Sequence, residues 1–116
     1  MQDRPTIDTA IPKRRYQVGD YAATLLGDIQ CRDERRFLHI LAFVPMGQRE
    51  PTLYICAEQP TADVGGQYQL RVINEVMNEH IDTSERWGDM ETFAEEAVKL
   101  GGRLLGLQQE EIVRLM

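Results

Sequence analysis

Apolar positions are densest across residues 36–58, RRFLHILAFVPMGQREPTLYICAE. Two apolar runs, 37–44 and 53–57, flank a connector containing Pro45, Gly47 and Pro51. Each run is too short for an ordinary helix and rich in aromatic or β-branched residues, which predicts a β-hairpin. Upstream, Tyr21, Ala23, Leu25, Gly27, Ile29 and Cys31 alternate with their neighbours and predict a strand with those six on one face. Tyr16 and Val18 have the opposite parity, and a bulge or short turn at Gly19 accounts for the switch. Residues 32–35 make the next turn and set Cys31 opposite Arg36. A loop over 61–67 leads to a strand at 68–74 and a short fifth strand near 76–81. The competing pattern is a helix, because Leu70, Ile73, Met77 and Ile81 would line one helical face.

The clearest helix spans 89–105, with Met90, Phe93, Ala94, Ala97, Leu104 and Leu105 recurring at three- and four-residue spacings. Asp89 suits the N-cap, Trp87 can fold onto Phe93, and Gly106 suits the stop. Early Glu91, Glu95 and Glu96 and late Lys99 and Arg103 match the helix dipole. Gly101 lies on the apolar stripe, which predicts a close approach to the sheet over Leu41 or Ile55, with Gly102 turned to solvent. Residues 107–116 read as a short tail helix with Ile112 and Leu115 inward. Residues 1–14 contain Pro5 and Pro12 without sustained periodicity, so they read as a flexible arm before one domain over 15–116. The expected fold class is α+β: an antiparallel meander of four or five curved strands, a C-terminal helix packed on one face, and the tail helix.

Pairing Val44 opposite Thr52 sorts the hairpin into two faces. One carries Phe37, His39, Leu41, Phe43, Leu53, Ile55 and Ala57; the other carries Leu38, Ile40, Ala42, Val44, Tyr54 and Cys56. Both are apolar, whereas an antiparallel sheet with one wet face alternates. The helix covers one face. The second requires curling of the sheet, the tail, or another copy of the chain, since an open apolar face of that size is rare on monomers.

Composition narrows the function classes. At 116 residues, 42% hydrophobic and 28% charged, the chain can build a core without metal or disulfide. No apolar run approaches a membrane span and residues 1–15 contain no signal-peptide core, so the expectation is a cytoplasmic protein with no membrane partner. Net charge is −6, with +2 over residues 1–15 and hence −8 over the rest. That acidic body speaks against nucleic acid, as does the separation of Lys13, Arg14 and Arg15 from Arg32, Arg35 and Arg36 at opposite ends of the sheet. Cys31 and Cys56 form no CxxC pattern and read as free buried thiols.

No residue cluster carries a catalytic signature. His39 sits between Phe37 and Leu41 with no acid or second ligand in sequence, so it reads as a hydrogen-bonded strand histidine. His80 beside Glu79 and Asp82 lacks HxxxH or HExxH spacing. A Cys56–His39 pair fails because the two point to opposite faces. Asp82, Glu85, Asp89 and Glu91 gather at the helix start, where capping explains them. No cofactor or metal is expected. The reading is a small non-catalytic protein-interaction or regulatory domain, with self-association through the sheet as one option. The alternative is a small-molecule binding protein or minor enzyme with a pocket between sheet and helix. Trp87, Tyr54, Tyr68 and His39 are the candidate ligand or partner contacts.

Overall fold

A computed structural model of the chain describes residues 3–59 and 67–116. Among the described residues seven antiparallel strands form one sheet in the order β6-β5-β4-β3-β2-β1-β7, a meander whose last strand returns beside the first. The strands are β1 (Ile7–Val18), β2 (Tyr21–Cys31), β3 (Phe37–Pro45), β4 (Leu53–Glu58), β5 (Tyr68–Asn74), β6 (Asn78–Ser84) and β7 (Ile112–Arg114). A 3-10 turn, Glu85–Gly88, leads into α1 (Met90–Leu104), the one α-helix among the described residues. The α+β class holds, but the strand count exceeds the expected four or five.

Both additional strands lie where the sequence lacks periodicity. Residues 7–14 of β1 fall in the expected flexible arm, and they are strand because β2 supplies backbone partners from Cys31 to Tyr21. Pro12 is accommodated because β7 covers only Tyr16–Val18, leaving this half of β1 at the sheet edge. The expected tail helix is instead a turn followed by β7. Gly106, at φ 73°, closes α1 with Leu107 N–H donating to Gly102 O (2.7 Å) and Gly106 N–H to Arg103 O (3.1 Å). That closure turns the chain away from the helix axis, and the β-branched Ile112 and Val113 then pair with β1.

The parity switch at Gly19 is a two-residue hairpin, Val18 opposing Tyr21 and Gly19 at φ 54°. The β3–β4 register is the expected one, with His39 opposite Ala57 and Phe43 opposite Leu53. The β2–β3 register differs by one residue: Leu25 opposes Leu41, so Cys31 cannot face Arg36. Directly opposed residues share a face, and only this register puts Ala23 and Leu25 with Leu41 and Phe43. Beyond Gly27, Asp28 adopts φ 48° and the β1–β2 ladder slips, reversing the parity of the rest of β2. Ile29 and Cys31 therefore leave the face of Leu25. A second irregularity between Phe37 and His39 moves Phe37 the same way. The stretch after β5 is strand, not helix, and starts at Asn78 because residues 75–77 make the reversal, with Asn74 Oδ1 accepting from Val76 N–H. Residues 61–66 of the expected loop over 61–67 lie outside the described residues.

The sheet thus has two cores. On one face Leu25, Leu41, Phe43, Ile55 and Val72 pack under Trp87, Phe93, Ala97 and Val98. Gly101 sits over Phe43 rather than Leu41 or Ile55, and Gly102 is buried beside Val18 rather than solvated. On the other face Phe37, Ile40, Ala42, Tyr54, Cys56 and Ile73 pack with Ile7, Leu26, Ile29 and Cys31, brought over by the bend in β1 and β2. Residues 3–6 strap this side. The Arg35 guanidinium donates to the Asp3 and Arg4 carbonyls (both 2.9 Å), Arg32 N–H donates to Thr6 O (2.9 Å), Arg4 pairs with Glu50 (2.6 Å), and Pro5 is buried. One chain closes both faces of its own sheet.

Candidate functional site

Three of the four candidate contact residues meet at the corner where the 3-10 turn enters α1. His39 projects from the middle strand, β3, toward the helix side. Its Nε2 lies 3.5 Å from Gly88 O, and its ring sits 5.4 Å from that of Phe93. A carbonyl can only accept, so Nε2 carries the proton and Nδ1 is left an unprotonated acceptor. That Nδ1 is buried without a partner, in a residue only 8% exposed. Burial pushes the imidazole below its usual pKa, against the opposing pull of Gly88 O and the Asp89 charge.

The corner is built from short-range constraints. Ser84 caps the 3-10 turn by accepting from Arg86 N–H (3.2 Å). Trp87, 2% exposed, donates Nε1–H to Asp82 Oδ2 (3.0 Å), and the Arg86 guanidinium lies over its ring at 4.3 Å. Gly88 has no room for a side chain, since a Cβ there would stand 2.6 Å from Tyr68 Cε2. Asp89 caps α1, accepting from Thr92 N–H (3.0 Å) and Thr92 Oγ (2.7 Å), and those bonds hold its carboxyl below the usual range. Glu91, in the first turn of α1, is bonded to Arg14 of β1, which lowers its pKa in the same way.

Tyr54, the fourth candidate, is not part of this corner. It is 4% exposed on the opposite face, beside Ala42 and Ile73, and burial raises its phenol. The expected pocket between sheet and helix is filled at the Trp87 end, where Trp87, Phe43, Phe93, Leu41 and Ile55 are almost wholly buried; an opening of about 230 Å³ lies at the other end of α1, beside Val18, Gly102 and Ile112. Only Tyr68 of the four candidates is partly exposed.

Chemically the corner offers little beyond a buried neutral imidazole. Asp89 is committed to its cap, and Cys56 lies across the sheet from His39, as the alternation requires. Among the described residues no group of three or more His, Cys, Asp or Glu is placed to hold a metal ion. His80 Nε2 is engaged by Thr83 Oγ1 (2.6 Å) and Asp82 O (3.0 Å). Both cysteines are free, and burial raises the Cys56 thiol far above its ordinary value.

Two features are not apparent from the sequence. Arg14 is 7% exposed and bridges β1 to α1 through Glu91, with Tyr16 Oη 3.5 Å away. Its shared parity with Tyr16 and Val18 is the one signal that points to it. The other is an open groove of about 850 Å³ beside the β2–β3 turn, lined by Cys31, Arg35, Arg36, Phe37, Glu58 and Gln59 among others. It draws on two separated segments, residues 29–37 and 58–59, which no sequence pattern links. Compared with known proteins, the chain matches no family model, no curated protein and no solved structure.

Proposed function

We propose that this chain is a small non-catalytic protein-interaction or regulatory domain. The observation that carries this reading is the filled interior. Small-molecule sites are concave, with a few convergent polar groups, whereas the space under α1 holds packed aromatic and aliphatic side chains. The contact surface moves accordingly, from the buried His39, Trp87 and Tyr54 to individually exposed apolar residues, Leu104 at the end of α1 and Ile112 on β7, with Val113 exposed on the opposite side of β7. Self-association through a sheet face drops out of the proposal, because the chain covers both faces itself. Nucleic acid stays disfavoured: Arg4, Lys13, Arg32 and Arg35 pair with Glu50, Asp28, Asp8 and Asp33. No described helix is long and apolar enough to cross a membrane.

The second reading, a small-molecule binding protein, rests on the 850 Å³ groove. Affinity purification from native extract separates the two. Loss of a specific partner protein in a folded Leu104→Arg/Ile112→Arg variant, with Arg36→Glu unaffected, supports the interaction domain. A small molecule that copurifies with the wild type and is lost from Arg36→Glu overturns it in favour of the groove.

A further inference from the structure

The buried imidazole of His39 has a consequence separate from the proposed function. At neutral pH its single N–H points at Gly88 O, and the unpartnered Nδ1 faces a closed site. Protonation would create a second N–H with no acceptor and place a cation beside the positive end of α1.

The charges around it come from every element packed nearby. α1 contributes Asp89, capped onto Thr92, and Glu91, committed to Arg14 of β1. β1 also contributes Lys13, whose stem lies over Gly27 and whose ammonium bonds Asp28 of β2. The 3-10 turn carries Glu85 and Arg86, the latter stacked on Trp87, and Asp82 of β6 accepts from Trp87. The opposed position on β4, Ala57, has no charge. Only Asp89 is near enough to draw the imidazolium appreciably, and burial outweighs it. Above the ordinary histidine pKa the folded and unfolded chains both hold His39 neutral, so nothing is lost. As pH falls below that value the unfolded or opened form takes the proton first, and the closed form loses ground.

What yields is decided by the neighbours. β3 is the middle strand, paired on both sides, and α1 is seated through Gly101 on Phe43. The four-residue turn 85–88 supplies the carbonyl that the ring contacts, Gly88 O, and lies outside both the sheet ladder and α1. We propose that His39 is a proton-sensitive latch, holding the corner around Trp87 and Gly88 shut at neutral pH and releasing it in mildly acidic solution.

Trp87 is the only tryptophan, so its fluorescence reports the corner directly. Between about pH 7.5 and about pH 5 the wild type should show a reversible red shift and a several-fold larger acrylamide quenching constant, with far-UV circular dichroism retained. His39→Gln should abolish the change and His80→Gln should keep it. A wild type flat over this range, or an undiminished transition in His39→Gln, overturns the latch. If His39→Gln fails to fold, the imidazole titration of the wild type by NMR decides: the His39 and Trp87 midpoints must coincide, and separate midpoints overturn it.

Discussion

Replacing Gly101 by alanine tests how α1 is seated on the sheet. A Cβ at this position would overlap the Phe43 ring at Cε1 and Cζ, with Cδ1 at 3.2 Å. Carbon atoms pack at about 3.5–4.0 Å, so the ring or the helix must retreat by more than a small adjustment. Phe43 has no free direction: it is fully buried on β3, between Ala23 and Leu53 in register. Overpacking of this kind costs roughly 1–3 kcal/mol. Removing a mid-helix glycine returns about 1 kcal/mol, so the net effect runs from neutral to about 2 kcal/mol destabilising. Gly102 is the internal control, because a Cβ there meets only Val18 Cγ1 at 3.9 Å, an ordinary contact. Gly102→Ala should therefore keep the full gain of about 1 kcal/mol. Urea melts read the difference as a higher midpoint for Gly102→Ala and an unchanged or lower one for Gly101→Ala, at constant m. Adding Phe43→Leu should make Gly101→Ala less costly, a coupling that a double-mutant cycle measures. Equal stabilisation by both alanines would refute the seating of α1 over Phe43.

Three other outcomes are expected from the same geometry. Arg14→Met should cost little, because it keeps the buried stem and returns Glu91 to water, whereas Arg14→Glu should cost about 3 kcal/mol or more by burying an unpaired charge beside Glu91; chemical denaturation distinguishes them. The carboxyls of Asp89 and Glu91 are held below their ordinary pKa, so the stability they bring is full above about pH 4.5 and is lost as pH falls through their lowered values. Glu91→Gln should flatten that acid limb in thermal melts at stepped pH. Deleting residues 1–6 should lower Tm by several degrees, since the Arg32 backbone N–H loses Thr6 O and the Arg35 guanidinium loses the Asp3 and Arg4 carbonyls; an unchanged Tm would show that the strap contributes nothing.

The parts of the fold legible in the sequence are those in which side-chain pattern and backbone pairing agree. β2 and α1 carry clear periodicity, β3 and β4 are short apolar runs bounded by turn residues, and the Asp89 cap and Gly106 stop come from local chemistry alone. β1 and β7 are not legible because their strand state comes from backbone pairing with a neighbour, which no local pattern records. The face of Ile29 and Cys31 differs from the expected one because the irregularity at Asp28, φ 48°, reverses parity, and that of Phe37 because of a second irregularity before His39; a single Gly-Asp pair inside an alternating run is too weak a signal to mark the first. The candidate contacts divide along the same line. His39, Trp87 and Tyr68 converge because the 3-10 turn folds back over β3 and β5, and Tyr54 does not because alternation sends it through the sheet.

One chain closes both faces of its own sheet, which leaves its outer surface for contacts. Cys56 tests this most directly, being fully buried on the second face while Cys31 on the same side is partly exposed. Native protein labelled with a thiol reagent should show Cys31 reacting first and Cys56 reacting only at the rate of unfolding. Those rates should not change when the protein is diluted a hundredfold. Cys56 labelling as fast as Cys31, or protection of Cys56 that disappears on dilution, would contradict the closure and place a second molecule, or water, against that face.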